Sequence, residues 1–325
     1  MILGDDSDQG HNPALSKVLQ WMMGSVGVSS QMMDGIANPL DLSPEITYRA
    51  IEKIREESRP RPAPVDVKIS IITATLRCAE TLSDCLSSVN GQTHPVREHI
   101  VIDGGSRDGT LDVLHSHRDR LAVMVSELDL GIYDALNKGI RLATGEVVGF
   151  LHGDDAYADE AVLARVAEVF TDPAVDAVYG DLVYVGKQDT SRVVRYWRSG
   201  VFHPTRLRQG WMPPHPTLYL RRSLYERHGL FDQRYQIAGD YDLMLRMLTR
   251  LTGRVVYLPH VMVRMRMGGA SNRSLPQVTR KSLEDYRALR ENRIGGVGTL
   301  LWKNLSKLPQ FIGRVGSVTQ RRAFI

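Results

Sequence analysis

KISIITATLRCAETLSDCLSSVNGQTHPVREHIVIDGGSRDGT, residues 68–110, decides the fold. It opens on a short apolar run, passes through a stretch with helical spacing (AETLSDCLSSVNGQ, 79–92), and returns to a second apolar run that breaks on paired glycines (EHIVIDGG, 98–105). Short apolar runs bounded by turn formers read as strands buried on both faces, and two of them joined through a helix make a right-handed crossover between parallel strands. The rhythm continues outward. LAVMVSE (121–127), EVVGFLHGDD (146–155) and VDAVYGDLVYV (175–185) read as further strands, with RDGTLDVLHSH (107–117), YDALNKGIRLA (133–143) and DEAVLARVAEVF (159–170) as helices between them. The pattern predicts an α/β fold with a mostly parallel sheet and helices on both faces. Ligands of such sheets bind beyond the carboxyl ends of the strands, so the residues where each strand stops are the ones to inspect for chemistry.

Upstream the pattern disappears. Residues 1–64 hold six of the 15 prolines and read as an appendage: Ser43 and Pro44 predict a helix start, and RPRPAP (59–64) reads as a stiff linker. Downstream, residues 271–325 read as a helical, basic tail. Six of the 41 basic residues follow Glu291 with no acid among them, which leaves 35 bases against 37 acids in the body. A near-neutral body excludes a nucleic-acid groove and assigns the net charge of +4 to the tail. Leu300, Leu301, Trp302, Leu305, Leu308, Phe311 and Ile312 interleave there with Lys303, Lys307 and Arg314. That spacing suits either a helix lying in a membrane interface or a terminal helix packed on the body. The two cysteines, Cys78 and Cys85, are too few for a disulfide framework, and MILGDDSDQG has acids where a secretory signal has positive charge. The setting expected is cytoplasmic, with a peripheral place at the inner face of the cell membrane if the tail binds lipid.

The chemistry-bearing residues gather at strand ends. LHGDD places Asp154 and Asp155 side by side where the fourth strand stops. Adjacent carboxylates repel, so they are tolerated in water or on a divalent cation, and a solvated acidic turn is the competing reading. IDGGSRDGT (102–110) ends the second strand in a glycine-rich turn that allows close approach of a ligand to the backbone, or simply a surface turn.

The ordered series IITATLR, VIDGGSRDGT, GIYDALNKGIRLATGE, FLHGDD and AGDYDLMLRM resembles inverting family 2 glycosyltransferases of GT-A fold, in the branch that builds bacterial exopolysaccharides and glycolipids. The resemblance covers residues 68–270 and implies a 65–270 catalytic domain, a nucleotide-binding half followed by a smaller acceptor-binding half. It implies a hexosyltransferase that moves sugar from a nucleotide-sugar donor to a hydroxyl of a glycan or lipid-linked acceptor. Asp155 then coordinates Mn²⁺ or Mg²⁺ on the donor diphosphate, and Asp154 contacts metal or ribose. Asp240 falls on the catalytic base, the single carboxylate that an inverting transfer needs opposite the leaving group. Thr73, Thr75 and Asp103 are the implied nucleotide contacts. His215, in WMPPHPTLYLRRSLYERHGLFDQRY, would touch acceptor or diphosphate, or else pack structurally. Tyr133, Asp134 and Asn137 match a YDAxN pattern that reaches donor phosphate or sugar, or else belong to a helix packed through Ala135, Leu136 and Ile140. MGGASN (267–272) would be a loop over the donor.

Two departures bear on the base. Gly104 stands where many relatives have the second acid of VDDGS, and Ala74, Leu76 and Arg77 replace a proline and an aromatic residue at the end of the first strand. Other classes compete. A Rossmann oxidoreductase wants GxGxxG after the first strand, a nucleotidyltransferase wants a glycine- and basic-rich loop there, and IITATLR has neither. A catalytically inactive scaffold subunit of the same fold would have lost its metal acid or its base, and this sequence has both Asp155 and Asp240.

Overall fold

The computed structural model describes residues 66–268 and 275–305. The expectations for residues 1–64, for most of MGGASN and for the tail past residue 305 lie outside the described residues. Strands β1 (Ile69–Thr75), β2 (Arg97–Asp103), β3 (Val123–Ser126) and β4 (Val147–Phe150) form parallel pairs in the spatial order β3-β2-β1-β4. Helices α1 (Leu82–Asn90), α2 (Thr110–Ser116) and α3 (Ile132–Leu142) make the crossovers between them. This is the half that the alternating runs predict.

The second half is mixed. After β5 (Ala156–Tyr157) and α4 (Val162–Phe170), the long strand β6 (Val175–Val185) pairs antiparallel with β7 (Val193–Trp197) and β8 (Tyr219–Arg221), and parallel with β9 (Arg254–Arg266). The three-residue β8 bridges β4 and β6, antiparallel to both, and so joins the two halves into one nine-stranded sheet. Short helices α5 (Pro204–Leu207) and α6 (Arg222–His228) precede α7 (Gly239–Leu248), and α8 (Leu275–Glu291) and α9 (Val297–Leu305) follow β9.

Every residue of β1 is buried, because the strand is covered on both faces. Ile69 and Ile71 point into one layer with Val89, Val166 and Phe170, whereas Ile72 and Ala74 point into the other with Leu136, Ile140 and Phe150. α3 lies close against that second face: a Cβ at Gly139 would come within 2.4 Å of Ile72 Cγ2. Its buried stripe is Tyr133, Leu136, Asn137 and Ile140, the spacing of one helical face, and it includes two polar residues. Ala288, Leu289 and Ile294 join the same layer, with Leu300 packed against it. Through Ala288 and Leu289, α8 shares the core layer that holds α7. Cys85 is buried and Cys78 half-buried, both free, and burial pushes the Cys85 thiol well above its ordinary range. Among the described residues no helix is long and apolar enough to cross a membrane.

Candidate active site

The carboxyl ends of β1, β2 and β4 bring three motifs to one edge. At the end of β4 the chain turns at once, with Asp155 N–H donating to the His152 carbonyl at 3.0 Å, so the two acids leave the strand in different environments. Asp154 remains half-buried, whereas Asp155 is 2% exposed and, among the described residues, accepts one hydrogen bond, from Arg266 N–H at 3.2 Å. Burial, and then repulsion from Asp154, hold the Asp155 carboxyl well above the usual carboxylate range, only partly offset by Arg266. The Arg266 guanidinium turns away to pair with Asp84 and to donate to the Lys187 carbonyl.

A buried carboxylate with one hydrogen bond and an acidic neighbour fits a divalent cation, which would supply the missing positive charge. Among the described residues no three His, Cys, Asp or Glu side chains cluster as metal ligands. Two carboxylates suit a cation whose remaining positions are filled by water and substrate phosphates, the usual arrangement for Mg²⁺.

Thr75 stands beside this turn. A Cβ on Gly153 would meet its Oγ1 at 2.9 Å, and that buried hydroxyl makes no hydrogen bond among the described residues. His152, quoted in LHGDD but given no role from sequence, lies between the acids: Asp154 and Asp240 both favour its charged form, but burial outweighs them and keeps it neutral. Its ring centroid is 6.0 Å from that of His215, which stacks on Phe150 at 5.1 Å and is pushed down to about 3, first by burial and then by His152. Among the described residues, His152 Nδ1 and His215 Nε2 are buried without a hydrogen-bond partner.

Asp240 sits in the first turn of α7, half-buried, accepting from Tyr241 N–H at 2.8 Å. Burial raises its carboxyl above the ordinary range, and Lys281 is the largest opposing influence. The loop before it is held from two sides. Tyr133 Oη donates to the Ile237 carbonyl at 2.7 Å and accepts from Gly239 N–H at 2.9 Å, while Glu284 Oε2 on α8 accepts from Ile237 and Ala238 N–H, both at 2.8 Å. Asn137 closes a reciprocal pair with the Phe231 backbone, two bonds of 2.9 Å. The side-chain polar atoms of Tyr133 and Asn137 are thus engaged within the protein. Tyr133 ties α3 to the loop before Asp240, and Asn137 ties it to Phe231.

Two further strand-end residues are engaged as well. Thr73 is fully buried two positions below the rim, sharing a 2.9 Å hydrogen bond with His99 Nε2. Asp103 accepts from Gly105 N–H, Ser106 N–H, Ser106 Oγ and Ser126 Oγ at 2.5–3.1 Å, so its own loop fills both oxygens. Beside it Gly104 leaves a space that a carboxylate from elsewhere occupies: a Cβ there would lie 3.0 Å from Asp129 Oδ2 and 3.4 Å from Leu76 Cδ1. Lys138 holds the other Asp129 oxygen at 2.6 Å. Sequence reading missed Asp129, since it comes from the loop after β3, and missed Glu284, since it is 44 positions past Asp240; neither has a local signal. Arg77 adopts φ 54° and is pinned through its N–H to Ser106 Oγ at 2.8 Å, with its side chain exposed at this rim.

Residues 70–230 match the model of glycosyl transferase family 2. A PGL/p-HBAD biosynthesis glycosyltransferase of Mycobacterium bovis is 34% identical over 209 residues, covering 62% of this chain and 78% of that protein. Glycosyltransferase AglE of Haloferax volcanii is 29% identical over 133 residues, 39% of this chain and 43% of that one. The fold resembles S. aureus TarS 1-349 in complex with UDP-GlcNAc at a TM-score of 0.55 and 19% identity, over 69% of this chain and 65% of that fragment; it spans 39% of the longer TarS chain. It also resembles the mannosyltransferase PcManGT of Pyrobaculum calidifontis in complex with GDP-Man and Mn²⁺, at a TM-score of 0.53 and 20% identity over 80% of this chain and 76% of that one. With an acid pair at the end of β4, a half-buried aspartate at the start of α7 and a relative matched over most of its length, the chain belongs to glycosyl transferase family 2 and is a glycosyltransferase of GT-A fold.

Proposed function

We propose that this enzyme transfers a hexose from a nucleotide-sugar donor to a hydroxyl of a glycan or lipid-linked acceptor, with inversion at the anomeric carbon and with Mn²⁺ or Mg²⁺ bound by Asp155. The observation that supports it best is the electrostatic imbalance of Asp155, buried beside Asp154 with a single hydrogen bond. When bound, the cation supplies Lewis-acid stabilisation of the diphosphate leaving group. The chain's own residues do the rest. Asp240 takes the proton from the attacking hydroxyl, and its partial exposure at a helix start leaves it open to that hydroxyl. His152 and His215 offer unmatched ring nitrogens to sugar or acceptor hydroxyls. Asp129 takes the place of the acid missing at Gly104 and accepts a ring N–H of the base, with Leu76 beside it.

The test is a screen of nucleotide sugars for donor hydrolysis and transfer with and without Mn²⁺, followed by NMR assignment of the product anomer. Metal-stimulated turnover and an inverted product are expected; transfer with retention, or transfer indifferent to metal and chelator, would sink the reading. No turnover, together with no binding of any nucleoside diphosphate, would favour the inactive scaffold or a nucleotidyltransferase.

A second reading concerns membrane contact. Val297, Leu301 and Trp302 on α9 are 57–60% exposed, and Lys307, Arg314, Arg321 and Arg322 follow them in the sequence. Such a face suits an anionic bilayer holding a lipid-linked acceptor. Co-sedimentation of the full chain with phosphatidylserine vesicles should weaken with salt and with paired Leu301→Ser and Trp302→Ser substitutions. Binding that ignores both would assign the face to something else.

A further inference from the structure

Lys303 is the exception on α9. While Leu301 and Trp302 meet water, Lys303 is 1% exposed, its ammonium 2.9 Å from Asp285 Oδ2 on α8 and 3.1 Å from the centroid of the Tyr241 ring. Room for it comes from Gly210, where a Cβ would approach Lys303 Cβ to 2.4 Å. Asp285, itself 3% exposed, takes a second cation, Lys281, at 2.9 Å. Burying such a group against an apolar alternative is costly, so two lysines converging on one buried carboxylate need a reason beyond packing. The geometry suggests one: Tyr241, against which Lys303 rests, is the residue after Asp240.

We propose that Lys303 is a positioning residue for the transfer reaction: its ammonium, held between Asp285 and the Tyr241 ring, sets with Lys281 the charge beside the first turn of α7, which carries Asp240. The proposal rests on the reading of Asp240 as the base. Lys303 lies beyond the family-matched segment 70–230, so the C-terminal helix becomes part of the catalytic apparatus of this chain. The titratable groups coupled electrostatically to Asp240 are His152 after β4, Tyr133 from α3, Lys281 and Asp285 from α8 and Lys303 from α9, with Tyr241 next to it on its own helix and Glu284 of α8 on the Ile237 and Ala238 N–H groups just before it. Of these, Lys281 and Lys303 stabilise its ionised form against burial, and Asp285 opposes them.

The experiment measures the acid limb of kcat/KM against pH in the full chain, with donor KM and thermal melting alongside. Removing a cation raises the pH at which the base ionises, so Lys303→Met should move the limb upward by about half to one pH unit, with donor KM unchanged. Lys303→Arg should restore it. Asp285→Asn should move the limb downward, and the double variant, which removes one charge of each sign, should return it close to wild type and remain folded if either single variant does not. Opposite shifts of this kind are not produced by a merely structural ion pair. Coincident limbs in the folded variants overturn the proposal. Asp240→Asn, assayed in parallel, separates the two readings: wild-type turnover in that variant removes the base itself, whereas its inactivity together with coincident limbs removes only the role of Lys303.

Discussion

Asp103 ends β2, Asp155 stands five residues past β4 in the turn that its own N–H closes onto the His152 carbonyl, and both are buried. Their surroundings are opposite. Asp103 accepts four hydrogen bonds, three from Gly105 and Ser106 in the loop that follows it and one from Ser126 at the end of β3. Asp155 has one backbone N–H and a second carboxylate next to it. A buried carboxylate whose acceptors are all filled stabilises its loop, whereas one left short of donors and pressed by a like charge is stable in its ionised form only with a cation. The same contrast separates Tyr133 and Asn137, whose polar atoms are engaged, from Thr75 Oγ1, His152 Nδ1 and His215 Nε2, which have no hydrogen-bond partner among the described residues. Salience in sequence does not distinguish the two groups; hydrogen-bond accounting does.

The comparison breaks most visibly at Asp155. Asp155→Ala should abolish metal-dependent binding of a nucleoside diphosphate in calorimetry, because the phosphates would then face Asp154 with no cation between them. Unchanged affinity would place Asp155 with the structural acids. Next in size is Asp240→Asn, which keeps the shape and the bond from Tyr241 N–H but cannot accept a proton. Turnover should fall by roughly 10²–10⁴-fold with donor affinity nearly unchanged. Collapse of donor binding with normal turnover would make Asp240 a donor contact. The smallest effect on binding sharpens the other side: Asp103→Asn removes the charge that four donors surround and should lower stability by about 2–3 kcal/mol in denaturant titration. Nucleoside diphosphate affinity of the folded fraction should stay within about twofold, given that hydrogen bonds to the loop, not to a ligand, are what is lost. A large loss of affinity at unchanged stability would show that Asp103 reaches the nucleotide after all.

Much of this was legible from residues in order. Apolar runs of the right length marked the strands of the parallel half, since strands covered on both faces are mainly apolar, but their spatial order came only with the structure. The acid pair at a strand end could be found because position along a regular element is a local property, whereas the aspartate of AGDYDLMLRM was singled out through the resemblance to the family. The antiparallel half was less legible, because β8 is three residues long and its pairing with both β4 and β6 is non-local.

What only the tertiary structure decided is which polar groups already have partners. Asn137 meets Phe231 across 94 positions, Asp129 fills the space left by Gly104 from a different strand end, and Lys303 reaches Asp285 and Tyr241 from a helix that its periodicity alone marks only as amphipathic. Chain order determines which residues can carry charge or a hydrogen bond and on which element they ride. Whether that capacity is satisfied inside the protein or left for a ligand depends on atoms brought within about 3 Å by folding, and hydrogen bonds of that length have no signature in the spacing of a sequence.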